Sequence, residues 1–225
     1  MTGASLPPGQ RERVTFPRFG LTPFARRFPY QTDRVELKIR GDLPNEILLS
    51  TELASLERVE QRSDFHCVTT WSCPGLLWSG VRFADFYSQL VKPLANPPDD
   101  ISLVVMRGQD GYHSGLPLAD LLASEVLLAD RLNGEPLGIE HGAPLRLIAP
   151  AHYGYKSVKH IRVIEFWSAQ NRYRPVGLAF MAHPRARVAQ EERGLWPARL
   201  LRWMYRPLIG PTVRRFQRAM RATRK

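Results

Sequence analysis

Asp64-Phe65-His66-Cys67-Val68-Thr69-Thr70-Trp71-Ser72 is the segment on which the interpretation of the whole chain depends. Its β-branched and aromatic residues predict a strand that opens into a loop. Cys67 lies inside this segment. A free cysteine is most often a small buried hydrophobic residue without chemistry, and no neighbouring residue marks the Cys67 thiolate as activated. Taken alone, the segment therefore predicts a structural cysteine.

Three further segments follow in a fixed order. They are Trp78-Ser79-Gly80-Val81-Arg82-Phe83, then Asp110-Gly111-Tyr112-His113-Ser114-Gly115-Leu116-Pro117-Leu118, and then an interrupted run made of Asn133-Gly134-Glu135-Pro136-Leu137, His141-Gly142-Ala143-Pro144-Leu145-Arg146-Leu147 and Gly154-Tyr155-Lys156-Ser157-Val158-Lys159. Together, over about residues 15 to 168, the four segments resemble the molybdopterin-binding domain of the sulfite oxidase family. That family includes bacterial molybdenum-dependent protein-methionine-sulfoxide reductases, and the chain resembles a stand-alone member similar to their catalytic subunit.

The resemblance implies a cofactor made of molybdopterin and molybdenum. It implies that Cys67 is the protein ligand to the metal, and a soft thiolate suits such a metal. It places the contacts to the pterin and its phosphate at Phe19, Gly20, Cys67, Gly108, His141, Arg146, Ser157, Val158 and Lys159. The Arg146 guanidinium and the Lys159 ammonium are the expected phosphate donors. Each of these two cations, considered alone, would more often be an ordinary surface ion-pair partner.

The resemblance also implies an oxidoreductase. Its cofactor transfers an oxygen atom to or from a small substrate and exchanges two electrons with a separate redox partner. Besides Cys67, the candidate catalytic residues in the substrate pocket are His66, Asp130 and Tyr153. His152 is a weaker candidate, since a histidine in this context is more often a structural group.

Asp130 marks a departure from true sulfite oxidases. The alignment of Leu128-Ala129-Asp130-Arg131-Leu132-Asn133-Gly134 puts Asp130 where those enzymes have their substrate-site tyrosine. A carboxylate at that position would repel sulfite. We therefore expect a neutral sulfoxide or N-oxide to be at least as plausible a substrate as sulfite.

Short strands and short helices alternate along the chain without a regular βαβ repeat, which predicts an α+β fold of mixed sheets. Helical spacing of apolar residues predicts a helix over 80–91 with Phe83, Phe86, Tyr87 and Leu90 on its core face. Three regions are expected. Residues 1–15 form a disordered N-terminal arm, 16–170 the catalytic domain, and 171–225 a basic, amphipathic helical extension.

The net charge of +11 is concentrated in the C-terminal extension. From Arg185 to Lys225 there are 12 basic and 2 acidic residues, so almost the whole excess lies there. A solvated basic face on a packed helix pair is one explanation. Docking to anionic lipid, to an acidic electron-transfer protein or to nucleic acid are the others. Nucleic acid is the least expected, because no aromatic residues are arranged for base stacking.

Cys67 and Cys73 are the only two cysteines, and they fit neither a CxxC redox pair nor a zinc site. The N-terminus shows no secretory or twin-arginine signal. We therefore expect a cytoplasmic location, with peripheral membrane contact as an option. The alternative to an enzyme is a member of the fold that has lost activity and works as a binding module through its basic C-terminal extension.

Overall fold

The computed structural model describes residues 6–169 and 173–223. Within these residues the strands, in chain order, are β1 (Arg11–Glu12), β2 (Leu37–Gly41), β3 (Ile47–Leu49), β4 (Arg58–Cys67), β5 (Trp71–Arg82), β6 (Leu103–Gly108), β7 (His113–Pro117), β8 (Leu127–Leu132), β9 (Glu135–Pro136), β10 (Arg146–Ile148) and β11 (Ile161–Trp167). The helices are α1 (Phe83–Phe86), α2 (Lys92–Ala95), α3 (Leu118–Leu121), α4 (Ala198–Tyr205) and α5 (Ile209–Thr223). Short 3₁₀ turns lie at Thr22–Phe24, Glu52–Ser55, Ala179–Met181 and Arg206–Leu208.

The strands form two mixed sheets. The first has the order β1-β5-β8-β10, with β4 paired to β5 and β9 paired to β8, and the second has the order β3-β2-β11-β6-β7. The pairs β1–β5 and β2–β11 are parallel, whereas the others are antiparallel. Two mixed sheets with short helices confirm the predicted α+β class.

Strand β8 of the first sheet is buried on both faces. Leu128 of β8 points into a large core shared with the second sheet, and its neighbours Leu127 and Ala129 point into a smaller core on the other side, as the period of two along a strand requires. The larger core also holds the helix formed by α1, a π turn over Tyr87–Val91, and α2. The smaller core is rich in tryptophan and includes Cys67.

The predicted helix over 80–91 begins later than expected, at Phe83. Gly80 to Arg82 complete β5 instead, where they pair with β8. A Cβ on Gly80 would come within 2.1 Å of the Leu128 carbonyl oxygen, so the two strands approach closely at this point. The predicted core residues Phe83, Phe86, Tyr87 and Leu90 are all buried.

The prediction of disorder over residues 1–15 is wrong for residues 6–15, while residues 1–5 lie outside the described residues. Arg11 and Glu12 pair in parallel with Trp71 and Ser72. The Gln10 side chain donates a hydrogen bond to the Cys67 carbonyl oxygen at 3.1 Å. The N-terminal arm is therefore fixed against the end of β4 that carries Cys67.

The C-terminal extension forms the predicted helix pair in its second half. Helices α4 and α5 are joined by the turn at Arg206–Leu208, whereas 173–197 is mainly loop. Phe216 of α5 stacks on Phe19 with ring centroids 6.5 Å apart and packs beside Ala25. Helix α5 therefore packs on the N-terminal segment through Phe19, Ala25 and Phe28. In the described part of the chain, no helix combines the length and the apolar character needed to cross a membrane.

Candidate active site

A cavity of about 270 Å³ lies beside Cys67. Its wall comes from the N-terminal segment 16–24, the β4–β5 turn, the loop between β10 and β11, and the C-terminal extension. Most of the described lining residues are aromatic or aliphatic, and the lysine, arginine and acidic residues among them are Arg18, Asp110, Arg146 and Lys159. A concave apolar site with a few converging polar groups is typical of small-molecule and cofactor binding.

Backbone contacts fix the loop between β10 and β11 against the strand that ends in Cys67. The Gly154 amide donates to the His66 carbonyl oxygen at 2.8 Å. A Cβ on Gly154 would lie 2.0 Å from the Phe65 ring, so a side chain at this position would push the loop away. This close approach brings Ser157 and Lys159 to the same cavity as Cys67.

The Cys67 thiol is buried, with 7% of the residue exposed. Its sulfur lies 3.1 Å from the Thr69 hydroxyl oxygen. Burial raises the pKa of Cys67, and the Thr69 hydrogen bond and the charges of Arg193 and Lys159 partly oppose that rise. Without a metal the thiol is therefore protonated at neutral pH, and a bound cation would be needed to make it a thiolate ligand.

Arg146 is a fully buried cation at 0% exposure. One guanidinium nitrogen, Nη1, donates to the His141 carbonyl oxygen at 2.7 Å. Nε donates to the Leu147 carbonyl oxygen at 3.5 Å, and Nη2 has no hydrogen-bond partner among the described residues. The guanidinium lies 4.9 Å from the Trp78 ring centroid and 5.8 Å from that of Phe16. Burial lowers the pKa of Arg146 to about 9, so the cation needs an anion that the described chain does not provide.

Lys159 is the second such cation. Its Nζ donates only to backbone carbonyl oxygens, of Phe19 at 3.2 Å and of Glu140 at 3.4 Å. Burial, followed by the charges of Arg146 and Arg18, lowers the pKa of Lys159 to about 7. Residues 6–169 and 173–223 provide no carboxylate in salt-bridge contact with it. The cavity thus combines a buried thiol with two cations that make no salt bridge within the described residues.

The sequence matches the oxidoreductase molybdopterin binding domain over residues 25–174, two thirds of the chain. The chain belongs to this family. It is 36% identical over 164 residues to YuiH of Bacillus subtilis, named an uncharacterised oxidoreductase, and the match covers 72% of this chain and 78% of YuiH. The protein is therefore a molybdopterin-dependent oxidoreductase, with molybdenum and molybdopterin as its cofactor.

The matches to more distant relatives cover a smaller part of those proteins. The protein-methionine-sulfoxide reductase catalytic subunit MsrP of Xanthomonas campestris is 29% identical over 58% of this chain and 44% of MsrP. The chain therefore spans less than half of that relative. Among solved structures, the sulfane dehydrogenase SoxCD of Paracoccus pantotrophus matches with a TM-score of 0.51 and 19% identity, over 60% of this chain and 38% of that one. This likeness supports the shared fold.

The cavity fits the family's cofactor. Molybdopterin is anionic, and its metal needs a soft ligand; Arg146 and Lys159 provide the positive charge, and Cys67 provides the sulfur. Phe19, Gly20 and Ser157, also predicted to contact the cofactor, line the same cavity. The placement thus agrees with six predicted contacts, whose roles stay predictions.

Three other predicted cofactor contacts lie around the cavity. His141 lines a neighbouring cleft of about 290 Å³ that shares Phe16–Arg18 with the main cavity. Its ring stacks on Phe16 at 5.1 Å, and burial and the charges of Arg146 and Lys159 lower the pKa of His141 to about 4. Val158 is fully buried outside the lining, and its carbonyl oxygen accepts the Leu147 amide. Gly108 is also outside the lining, packed against the Lys159 backbone.

Asp130, predicted to lie in the substrate pocket, is elsewhere. Its carboxylate forms a two-pronged ion pair with Arg58 at 2.5 and 3.0 Å. Arg58 and Cys67 are opposite ends of β4, roughly 30 Å apart at about 3.3 Å per residue. The prediction for Asp130 is wrong, and with it the argument that its charge repels sulfite.

His66, Tyr153 and His152 are also absent from the cavity lining. His66 precedes Cys67 on the strand, so its side chain points to the other face; its Nδ1 lies 2.7 Å from the Ser72 hydroxyl. Tyr153 packs with Ala186 and Val188. His152 Nδ1 lies 2.5 Å from the Arg185 carbonyl oxygen, in agreement with a structural role. The structure thus corrects the predicted pocket roles of His66 and Tyr153.

Sequence reasoning missed the contribution of the C-terminal extension to the cavity. The described lining residues that follow the family domain are Val176, Met181, Ala182, Tyr205, Leu208, Thr212 and Phe216. Several of them belong to the apolar stripes of the two basic helices. An apolar stripe predicts that a helix packs on the domain, but it does not show which surface of the domain the helix covers.

Proposed function

We propose that the protein transfers an oxygen atom from a small neutral substrate, such as a sulfoxide or an N-oxide, with two electrons supplied by a separate donor. The observation that supports this proposal is the uneven distribution of charged residues over the cavity lining. The basic residues Arg18, Arg146 and Lys159 come from the N-terminal segment and the family domain, whereas every lining residue after 174 is uncharged.

We assign a separate role to each group of residues. Cys67 holds the metal, and Arg146 and Lys159 hold the anionic part of the molybdopterin. When bound, the cofactor supplies two-electron oxygen-atom transfer. The aromatic wall from Phe16, Phe65 and other lining residues excludes water from the site.

The substrate is proposed to be neutral because the cofactor uses the cations. Arg18 is held by the carbonyl oxygens of Phe24, Ala25 and Arg27. Once Arg146 and Lys159 face a bound anion, the remaining wall from Met181, Tyr205 and Leu208 offers no positive charge to a substrate. Sulfite would then gain no ion pair in an apolar cavity and would lose its hydration. A sulfoxide keeps its one polar oxygen and can bury its alkyl groups.

The electrons are proposed to come from a partner protein. The relative from Xanthomonas campestris is named a catalytic subunit. The balanced half-reaction takes one sulfoxide, two electrons and two protons, and gives one sulfide and one water. The described part of this chain contains no group of three or more His, Cys, Asp or Glu side chains that could hold a metal ion to relay these electrons.

The test is reduction of dimethyl sulfoxide and of trimethylamine N-oxide by the protein purified from a molybdenum-replete host, with a reduced viologen dye as electron donor. We expect dye oxidation to depend on added substrate and to yield dimethyl sulfide or trimethylamine. Sulfite with an oxidised dye is the control reaction, which we expect to be slower at equal substrate concentration. Faster sulfite oxidation would contradict the proposal of a neutral substrate.

We further propose that the C-terminal extension docks on an anionic membrane surface. Helix α4 turns Arg199, Leu200 and Trp203 to solvent, and Trp203 is 76% exposed. Arg206, at the start of the following turn, is also exposed. Exposed tryptophan and leucine beside arginine is the pattern of an interfacial helix. No acidic residue occurs after Glu192, so the charge complements anionic lipid. The cytoplasmic location predicted from the sequence stays a prediction.

Binding to lipid vesicles tests this docking. The protein should bind vesicles containing anionic lipid and should be released by salt. Trp203→Ser should weaken binding about tenfold, and Arg206→Gln roughly fivefold, since each basic residue near such a surface contributes about 1 kcal/mol. Leu48→Ser is the control, because Leu48 is 70% exposed on β3 in the second sheet. Equal binding by the Trp203 variant, or binding to an acidic protein but not to vesicles, would contradict the proposal.

A further inference from the structure

Tyr205 ends α4 and lies 31 positions beyond the last residue of the family domain. It is 2% exposed and lines the cavity together with Cys67. Its ring thus belongs to the part of the wall that the extension adds to the domain. No sequence feature of the family domain specifies a group at this place.

The Tyr205 hydroxyl has no hydrogen-bond partner among the residues that the structure describes. A buried hydroxyl without a partner destabilises a fold, because water bound it in the unfolded chain. Other hydroxyls on the same wall have partners. Tyr112 donates to the Tyr155 carbonyl oxygen at 2.6 Å, and the Tyr155 hydroxyl accepts the His183 amide at 2.9 Å. Tyr205 is therefore an unsatisfied donor on this wall, as is the Trp71 indole Nε1.

Arg193 lies beside the metal-ligand end of the cavity. This buried guanidinium donates to the Val68 carbonyl oxygen at 2.7 Å, immediately after Cys67 in the chain. Its charge acts on both Cys67 and Tyr205, in each case lowering the pKa against the effect of burial. Burial nevertheless raises the pKa of Tyr205 to about 12, so its phenol is a neutral donor at physiological pH.

We infer that the Tyr205 hydroxyl donates a hydrogen bond to the oxygen atom of the bound substrate. The inference rests on the proposed function, since it assumes a neutral substrate that carries one oxygen acceptor. A sulfoxide or N-oxide oxygen is a strong acceptor and would satisfy the phenol in a cavity that excludes water. The C-terminal extension thereby supplies a substrate-binding group that the family domain does not contain.

Tyr205→Phe in the cofactor-loaded protein tests the inference, with Tyr153→Phe as the matched control. Both tyrosines are buried, but only Tyr205 lines the cavity. For Tyr205→Phe we expect roughly tenfold higher KM for dimethyl sulfoxide and roughly tenfold weaker binding of the non-reacting dimethyl sulfone by calorimetry. We expect its melting temperature to be unchanged or higher, because an unsatisfied donor is removed. Tyr153→Phe should leave KM and sulfone binding unchanged.

Two results would overturn the inference. One is wild-type KM and sulfone affinity in Tyr205→Phe. The other is a lower melting temperature in Tyr205→Phe with no change in binding, which would show that the hydroxyl has a structural partner. Failure of the proposed function looks different, because the wild-type protein itself would then neither reduce sulfoxides nor bind the sulfone.

Discussion

Replacing Cys67 by serine is expected to yield a folded protein that purifies with less than about a tenth of the molybdenum of the wild type. The thiol is the soft donor in the cavity, and a serine hydroxyl at neutral pH is a poor ligand for a metal that prefers sulfur. Burial already raises the pKa of the Cys67 thiol. A bound metal must deprotonate the Cys67 thiol against that raised pKa. A serine hydroxyl has a far higher pKa than a thiol and would be much harder to deprotonate. Metal content measured by mass spectrometry on freshly purified protein gives the result.

Cys73→Ser is the matched control for this experiment. Cys73 lies on β5 in the same tryptophan-rich core as Cys67 and is equally buried, but it does not line the cavity. Burying a serine hydroxyl in place of a thiol costs about 1–3 kcal/mol at either site, so both variants carry a similar loss of stability. Cys73→Ser should keep its molybdenum. Full occupancy in Cys67→Ser, or equal loss in both variants, would remove Cys67 from its role as ligand.

The cofactor end of the site could be predicted from the sequence because its residues lie in short contiguous segments. Cys67 is in the β4 segment, Arg146 in the β10 segment, and Ser157 and Lys159 in the following loop. The close approach of Gly154 to Phe65 then brings two of these segments together. A linear pattern identifies such residues without any knowledge of how the sheets pack.

The substrate end could not be predicted in the same way. In the β5–β8 pairing, Ser79 faces Arg131 and Gly80 faces Ala129, so Asp130 is the extra residue of a bulge. A bulge interrupts the alternation that assigns a side chain to one face of a strand, and the sequence does not show it. His66 is a different case. The period of two along β4 already places His66 opposite to Cys67, so this correction was available from the sequence.

Long-range contacts explain why the N-terminal arm was wrongly predicted to be disordered. Residues Arg11–Glu12 show no apolar alternation, and backbone hydrogen bonds hold them, such as that from the Arg11 amide to the Thr70 carbonyl oxygen at 3.1 Å. The Arg193 side chain adds a bond to the Pro8 carbonyl oxygen at 3.0 Å. The partners in that bond are 185 residues apart, and neither local propensity nor spacing identifies such pairs.

Replacing Lys159 by methionine is expected to stabilise the cofactor-free protein and to abolish cofactor binding. The buried ammonium has only two long bonds to carbonyl oxygens, and its charge adds to those of Arg146 and Arg18. A methionine of similar length removes the uncompensated charge and keeps the packing. We expect a gain of a few kcal/mol in the free energy of unfolding at pH 7, measured with urea, together with loss of molybdenum.

Lys156→Met is the control for cofactor retention. Lys156 is also buried with its pKa lowered to about 7, but it donates to the Gly115 and Pro184 carbonyl oxygens at 2.7 Å each and does not line the cavity. This variant should keep its molybdenum. Cofactor loss in both lysine variants would indicate a general effect of removing a buried ammonium, and retention in Lys159→Met would contradict the assignment of Lys159 to the anion site.

The pH dependence of the unfolding free energy of the cofactor-free protein gives an independent measure of the buried Lys159 charge. The pKa of Lys159 is about 7 in the fold and near 10.5 in the unfolded chain, so above pH 7 the unfolded state binds more protons and stability rises with pH. Lys156 acts in the same direction. The opposing groups near Lys159 are Asp110, whose own pKa is raised by burial, and Cys67, whose raised pKa lies above its usual 9. Between pH 7 and 9 the slope of the unfolding free energy against pH should therefore approach about 1.4 kcal/mol per pH unit for each lysine, and Lys159→Met should roughly halve it.

Inorganic phosphate should stabilise the wild type more at pH 7 than at pH 9, because an anion raises the pKa of Lys159 back towards its ordinary value. A wild-type stability that does not change across this range would show that the ammonium of Lys159 already has a counter-charge.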